Sequence, residues 1–273
     1  MAIDPEIFVL TIAIALGGAV TGILAGLFGI GGGAIIVPVL YEVFRFIDVP
    51  EGVRMQLCIG TSLAIIVPTT VRSYRSHRIK GLVISKIVGV WAIPAIVGVA
   101  IGSILAAFAP ATVFKIAFVI IALGLAMKLL LAREDWRLAA ELPGRGLMSF
   151  FGFLVGLSSS LMGVSGGSVS NAILTLYGRS LHEAVAISAG VGVPISVAGT
   201  IGYALAGLPH QASMPRFSIG YISFIGFVLM APISTLFAPL GASLAHSLTK
   251  RPLEIGFGIF LMLVSARFLI SLV

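Results

Sequence analysis

Apolar runs of roughly helical length fill most of this chain, and short polar stretches separate them. A helix needs about 20 mostly apolar residues to span a bilayer. The runs predict helical segments at about 8–28, 34–46, 55–72, 84–107, 112–131, 147–162, 167–178, 184–206, 217–245 and 253–272. The segments 34–46 and 167–178 are too short to cross the hydrocarbon layer comfortably. The pattern therefore predicts an all-α polytopic membrane protein with broken helices.

The apolar pattern occurs twice, and a glycine-rich cluster marks each copy. Gly29–Gly33 reads Gly-Ile-Gly-Gly-Gly, and Gly163–Gly167 reads Gly-Val-Ser-Gly-Gly. Further equivalent positions follow in the same order: Thr61-Ser62 with Ile187-Ser188, Pro68 with Pro194, and Pro94 with Pro232. Short, glycine-interrupted segments at corresponding places in two halves are typical of the binding site of a secondary transporter. We predict transmembrane repeats over residues 1–131 and 147–273, joined by a cytoplasmic linker over 132–146.

The distribution of positive charge predicts how the two halves are oriented. Basic residues are concentrated after the third segment: Arg72, Arg75, Arg78, Lys80 and Lys86. The equivalent loop of the second half, at about 205–217, carries Arg216 alone. Because positively charged loops stay in the cytoplasm, the two loops should lie on opposite sides of the membrane. Equivalent loops on opposite sides require an odd number of crossings per half, so we predict two inverted-topology repeats of about five helical segments each.

Composition excludes several functional classes. Hydrophobic residues make up 59% of the chain and charged residues 10%, whereas a soluble domain carries roughly 25% charged residues. The basic residues form no stripe interleaved with aromatic residues, so nucleic acid is not an expected partner. All ten acidic residues fall in loops or at predicted helix ends, which disfavours a cation substrate. The segment interiors hold no His, Asp and Glu constellation, so we predict no metal, no cofactor and no enzymatic activity.

The glycine clusters are candidates for the substrate site. Each glycine costs a helix about 1 kcal/mol relative to alanine, so a run of them predicts unwound backbone. Such backbone is tolerated at membrane depth only where it lines a cavity or is buried in protein. Free N–H groups at the start of the following short helix would bind an anion through hydrogen bonds and the helix dipole. The predicted binding glycines are Gly29, Gly31, Gly32, Gly33, Gly163, Gly166 and Gly167.

Polar side chains near the clusters complete the predicted site. Most hydroxyls within spans bond back to a carbonyl of their own helix. Those that stand out for matched repeat positions, or for the polar concentration around the second cluster, are Thr61, Ser62, Ser165, Asn171 and Ser188. Arg72 lies four positions after Pro68. It is either an anchor whose side chain reaches the membrane interface or a positive charge at the inner mouth of an anion path.

The first glycine cluster and its surroundings resemble a known family. Residues 26–40 read Gly-Leu-Phe-Gly-Ile-Gly-Gly-Gly-Ala-Ile-Ile-Val-Pro-Val-Leu, and residues 60–63 read Gly-Thr-Ser-Leu. This pattern resembles the sulfite exporter TauE/SafE family, and the likeness extends over nearly the whole chain. The second copy departs from it, since Ser165 replaces a glycine and Ala172 stands where the first repeat has Pro38. The resemblance implies a bacterial inner-membrane permease that exports sulfite or small organosulfur anions such as sulfoacetate.

The residues and the resemblance together lead us to expect a secondary transporter in the bacterial inner membrane. It would export sulfite or a small organosulfonate by alternating access. An anion channel, or an importer of another small oxyanion or carboxylate, is the alternative, because gradients set the direction of flux. The expected partners are the anion and the lipid bilayer. A monomer and a homo-oligomer both stay open.

Overall fold

A computed structural model describes residues 12, 15–24, 32–79, 85–131, 139, 142–247 and 250–272. Two of the predicted binding glycines, Gly29 and Gly31, lie outside the described residues. So does most of the predicted linker over 132–146. The remaining predicted site residues are all within the described part of the chain.

The described residues are almost entirely helical, which confirms the predicted fold class. The helices are α1 (Ala15–Leu24), α2 (Gly33–Phe46), α3 (Glu51–Ile79), α4 (Ser85–Phe108), α5 (Ala111–Leu131), α6 (Arg145–Met162), α7 (Gly167–Leu176), α8 (Leu181–Gly207), α9 (Phe224–Ser247) and α10 (Lys250–Ile270). A 3₁₀ helix, Leu208–Ser213, follows α8 and leads into a two-stranded antiparallel hairpin, β1 (Ser218–Ile219) and β2 (Ile222–Ser223).

Six of the described helices are long and apolar enough to cross a membrane. They lie at Glu51–Ile79, Lys86–Phe108, Ala111–Leu131, Arg145–Met162, Glu183–Ser213 and Arg251–Ile270. Large apolar side chains stand exposed on their outer surfaces, such as Ile93 and Ile104 of α4 and Ile120 of α5. A water-soluble protein would bury most of these side chains, but lipid is a compatible environment for them. The chain is a multi-pass membrane protein.

Two segments differ from the prediction. Helix α3 continues to Ile79 although the predicted segment stops at 72, because the end of an apolar run marks the end of membrane burial rather than the end of a helix. Helix α9 begins at Phe224 rather than at 217, and the hairpin occupies the residues between. Gly220 has a positive φ of 53° in this hairpin, a conformation that glycine adopts readily.

Equivalent helices of the two halves cross at the centre of the protein. The Leu63 side chain packs on Gly199 towards the end of α8, with Cδ1 2.8 Å from the position a Cβ would take. Tyr74, further along α3, packs on Gly190, nearer the start of α8, at 3.6 Å by the same measure. Helices α3 and α8 therefore run antiparallel. This is the arrangement that an inverted repeat requires of its equivalent helices, and the inverted repeat itself stays a prediction.

Glycines bring α4 and α6 into close backbone contact. Built Cβ atoms at Gly152 and Gly156 would lie 3.0 Å from the Cα of Trp91 and 2.7 Å from the Cα of Ala95. On the facing helix, a Cβ at Gly98 would lie 2.7 Å from the backbone nitrogen of Leu157. Small residues on both faces let transmembrane helices approach in this way. These glycines serve helix packing rather than binding.

The predicted orientation can be tested by labelling from the two sides of the membrane. In a variant lacking Cys58, single cysteines at Arg75 and Ser213 should react with an impermeant thiol reagent from opposite sides. Both side chains are exposed, so access should depend on sidedness alone. Positive loops stay inside, and position 75 should therefore be cytoplasmic. Labelling of both positions from the same side would contradict the inverted repeat.

Candidate functional site

The breaks that precede α2 and α7 meet each other inside the protein. A Cβ built on Gly33, the first residue of α2, would lie 2.7 Å from both the carbonyl oxygen of Gly163 and the Cα of Val164. The hydroxyl of Ser62 donates a hydrogen bond of 2.7 Å to the same Gly163 oxygen. A predicted site residue of α3 therefore holds the second break against the start of α2. Only a residue without a side chain fits at Gly33.

A glycine in the left-handed region of backbone conformation directly precedes each short helix. Gly32 precedes α2 with a φ of 69°, and Gly166 precedes α7 with a φ of 77°. Neither start has a side-chain cap. L-residues with side chains adopt this conformation at a cost of about 1–2 kcal/mol, which explains glycine at these two positions. The break also frees the first N–H groups of each helix from helical hydrogen bonds.

The start of α7 has unsatisfied donors. Within the described part of the chain, the N–H groups of Gly167, Ser168 and Val169 have no hydrogen-bond acceptor. These three residues are half-buried. Free N–H groups and the positive end of the helix dipole favour a negative ligand at such a place.

Two predicted side chains join structural elements. Thr61 and Ser62 are fully buried. The hydroxyl oxygen of Thr61 accepts a 2.9 Å hydrogen bond from the backbone N–H of Ser223, directly before α9. The hydroxyl proton of Ser62 is used by the Gly163 carbonyl. Both residues fix the crossing region, and a direct contact with an anion stays a prediction for them.

The other predicted side chains lie in different surroundings. Ser188 of α8 is 3.0 Å from the Oδ1 of Asn171, so these two residues link α8 to α7. Ser165 is buried in the break before α7. Arg72 is exposed on α3, between Thr70 and Tyr74, and its two predicted roles both stay predictions.

A hydroxyl pair at the crossing was missed by the sequence analysis. Thr70 Oγ1 lies 3.1 Å from Ser196 Oγ, and both side chains are buried. Each follows a helix-interior proline by two positions, Pro68 in α3 and Pro194 in α8. The register that aligns these prolines also aligns Thr70 with Ser196. This alignment could have indicated the pair from the sequence. Because the two equivalent residues contact each other, the pair lies where the two halves meet.

Further unpartnered hydroxyls lie near the start of α7. The side-chain oxygens of Ser168 and Ser170 are buried and have no hydrogen-bond partner among the described residues. By contrast, Ser158 and Ser160 donate to carbonyls of their own helix, at 2.6 Å and 2.8 Å. A buried hydroxyl without a partner costs free energy, so such groups commonly mark a place where a ligand or water completes the hydrogen bonds.

Comparison with known proteins identifies the family. A family model described as sulfite exporter TauE/SafE matches residues 14–268. The chain belongs to this family. A probable membrane transporter protein of Haemophilus influenzae is 31% identical to it, covering 91% of this chain and 94% of the relative. A probable membrane transporter protein of Methanocaldococcus jannaschii is 27% identical, covering 87% of each. No solved structure gives a significant match. The chain is thus a membrane transporter of the TauE/SafE family.

Charged side chains of this TauE/SafE transporter connect the two halves away from the breaks. Lys128 of α5 donates to the hydroxyl of Thr175, near the end of α7, at 2.8 Å. Arg267 of α10 forms an ion pair of 3.0 Å with Glu42 of α2. Each short helix is therefore held by a helix of the opposite half. These contacts fix the positions of α2 and α7 relative to the core.

Proposed function

We propose that this TauE/SafE family member exports sulfite or a small organosulfonate, such as sulfoacetate, across the bacterial inner membrane by alternating access. The observation that carries the proposal is the start of α7, where free N–H groups lie within a bundle of membrane-spanning helices. Backbone N–H groups replace the water shell of an anion without introducing a fixed charge. Uncharged N–H donors can bind an anion and also release it, as a transport cycle requires.

The family supports a sulfur oxyanion as the substrate class. The matching family model is described as a sulfite exporter, and the site chemistry suits any small anion with several acceptor oxygens. Sulfite and sulfonates each present three oxygens that accept hydrogen bonds from N–H and O–H donors. Hydroxyls of Thr61, Ser62, Ser165 and Ser188, with Asn171, are the proposed polar surroundings. The inside-negative membrane potential favours outward movement of an anion by about 2.3 kcal/mol per charge per 100 mV.

The packing of the two halves supports alternating access. Helices α3 and α8 cross antiparallel, and the breaks of the two halves touch at Gly33 and Gly163. Transporters with such broken helices alternate access by rocking or gating one repeat against the other around a fixed central site. In this proposal the crossing of α3 and α8 is that centre.

Flux in proteoliposomes tests the proposed function. Purified protein should be reconstituted and loaded in turn with sulfite, sulfoacetate, taurine and sulfate. We expect sulfite or sulfoacetate to leave the vesicles faster than from protein-free liposomes and faster than sulfate. Failure of sulfite and sulfoacetate to move above the protein-free rate would contradict the proposed substrate class.

The charge distribution predicts that transport is independent of sodium. The described acidic residues lie at helix ends or in turns; Glu51, for example, begins α3, pairs with Lys115 at 2.6 Å and has a 62% exposed side chain. Sodium sites and proton relays within membranes usually include a carboxylate. At a clamped potential, efflux of a permanently ionised sulfonate should therefore be the same with and without a sodium gradient, and nearly the same with a pH gradient. Uphill accumulation driven by either cation gradient alone would refute this prediction.

A further inference from the structure

The starts of the two short helices occupy equivalent positions in the two halves, but their residues differ. The register that pairs Gly33 with Gly167 also pairs Ala34 with Ser168 and Ile36 with Ser170. The second half therefore carries hydroxyls where the first half carries aliphatic side chains. The surroundings of the two starts differ in the same sense.

The start of α2 is closed by protein atoms. A Cβ on Gly33 would lie 2.7 Å from the Gly163 carbonyl oxygen and 2.8 Å from Cδ1 of Ile66. Gly33 and Ala34 are both buried. A carbonyl oxygen carries partial negative charge, and Ile66 offers no donor. An anion on this side of Gly33 would meet an acceptor and an apolar side chain, so this side of the helix start serves packing.

Among the described residues, the start of α7 has fewer close neighbours than the start of α2. A Cβ on Gly167 would meet Ser165 Oγ, at 3.7 Å, and no other described atom within 4 Å. The register that aligns Pro68 with Pro194 places Gly192 where the first half has Ile66. A Cβ on Gly192 would lie 3.4 Å from both the Cβ of Ser165 and Cγ2 of Thr70. The isoleucine side chain that packs at the start of α2 is therefore replaced by the single hydrogen atom of Gly192 near the start of α7.

Unpartnered hydroxyls flank this helix start. Ser165 is only 7% exposed, and its hydroxyl has no hydrogen-bond partner among the described residues. Ser170 is 1% exposed, and its hydroxyl likewise lacks a described partner, as does that of Ser168. Side chains on a helix lean towards its N-terminus, so the Ser168 and Ser170 hydroxyls lean towards the first turn, from different faces of the helix. The N–H groups of the first turn lack acceptors as well.

We propose that the transporter binds a single oxyanion asymmetrically, at the start of α7 alone. The hydroxyls of Ser165 and Ser168 and the N–H groups of Gly167, Ser168 and Val169 are its ligands, with Ser170 behind them in the first turn. The start of α2 is a packing element that supports the second break. This proposal rests on the proposed function and states which of the two halves binds the anion.

Binding measurements on purified protein in lipid nanodiscs test the asymmetry. The probes are sulfite, methanesulfonate, phosphate and acetate, each titrated by calorimetry. Removing a hydrogen bond to a charged group weakens binding by about tenfold or more. We expect at least that loss for Ser165→Ala and for Ser168→Ala. Ser158→Ala is the matched control, because its hydroxyl is bonded to the Leu154 carbonyl of its own helix, and it should bind like wild type.

A second pair of variants tests the position that is isoleucine near the first start and glycine near the second. Gly192→Ala adds a Cβ about 3.2 Å from the Ser165 carbonyl oxygen and should weaken binding strongly. Ile66→Val, at the aligned position of the first half, should leave affinity unchanged. Comparison of the thermal unfolding of each variant with that of wild type separates lost binding from lost folding.

The outcomes separate this inference from the proposed function. If phosphate or acetate binds instead of the sulfur anions and needs Ser165 and Ser168, the asymmetric site stands and the proposed substrate class falls. If sulfite binds with equal affinity in Ser165→Ala and Ser168→Ala proteins that fold normally, the asymmetric site is overturned while the substrate class stands. Binding of none of the four probes overturns both.

Discussion

Replacing Gly166 with leucine is expected to abolish anion binding while the protein still inserts into the membrane. Gly166 has a φ of 77°, and a Cβ there would lie 2.8 Å from Cγ1 of Val155 and 2.9 Å from Oγ of Ser159. The left-handed conformation costs an L-residue about 1–2 kcal/mol, and the crowding adds about 1–3 kcal/mol. The backbone can relieve both only by moving the start of α7. Leucine itself favours insertion.

The measurement compares membrane yield and sulfite affinity for this variant with those of Gly124→Leu. A Cβ at Gly124 meets no described atom within 4 Å, so that variant adds the same apolar surface without displacing a helix start. We expect at least about thirtyfold weaker binding for Gly166→Leu, because these costs sum to at least about 2 kcal/mol, and wild-type affinity for the control. Wild-type affinity in Gly166→Leu would contradict this prediction and show that Gly166 serves helix packing only.

Replacing Gly156 with leucine is expected to disrupt the contact between α4 and α6 and to lower the stability of the protein. A Cβ at Gly156 would lie 2.7 Å from the Cα of Ala95, so the two backbones must separate. Overpacking of this kind costs about 1–3 kcal/mol, and separating the helices also loses the packing that holds transmembrane helices together. A fall in the apparent Tm of the detergent-solubilised protein would report this loss.

The matched control for packing lies on the same helix. A Cβ at Gly146 of α6 meets no described atom within 4 Å, so Gly146→Leu should leave the apparent Tm within a few degrees of wild type. Equal Tm values for Gly156→Leu and Gly146→Leu would contradict the close contact between α4 and α6.

The short helices were predictable because glycine interrupts helices strongly. The predicted segments 34–46 and 167–178 correspond to α2 at Gly33–Phe46 and α7 at Gly167–Leu176. The hairpin before α9 was not predictable in this way. Its residues are nearly as apolar as a helix start, and apolarity alone does not distinguish a two-residue strand from a helical turn.

The candidate site was predictable in its residue types but not in its partners. Glycine breaks next to matched hydroxyls indicated where a site would lie. The bond from Ser62 to the Gly163 carbonyl and the contact between Thr70 and Ser196 depend on how the halves pack, which spacing along the chain does not reveal. The exchange of Ile66 for Gly192 is visible in the aligned sequence, but its meaning requires the packing around Gly33 and Gly167.

Counterflow is the most direct test that this protein carries a sulfur oxyanion by alternating access. Proteoliposomes loaded with concentrated unlabelled sulfoacetate are diluted into a trace of labelled sulfoacetate at zero potential, and the same is done with sulfite. We expect labelled anion to rise transiently above its equilibrium level inside the vesicles, because a carrier that has moved unlabelled anion outward can return with labelled anion bound. A monotonic approach to equilibrium would indicate a channel, and no uptake above protein-free vesicles for either anion would contradict transport of a sulfur oxyanion by this protein.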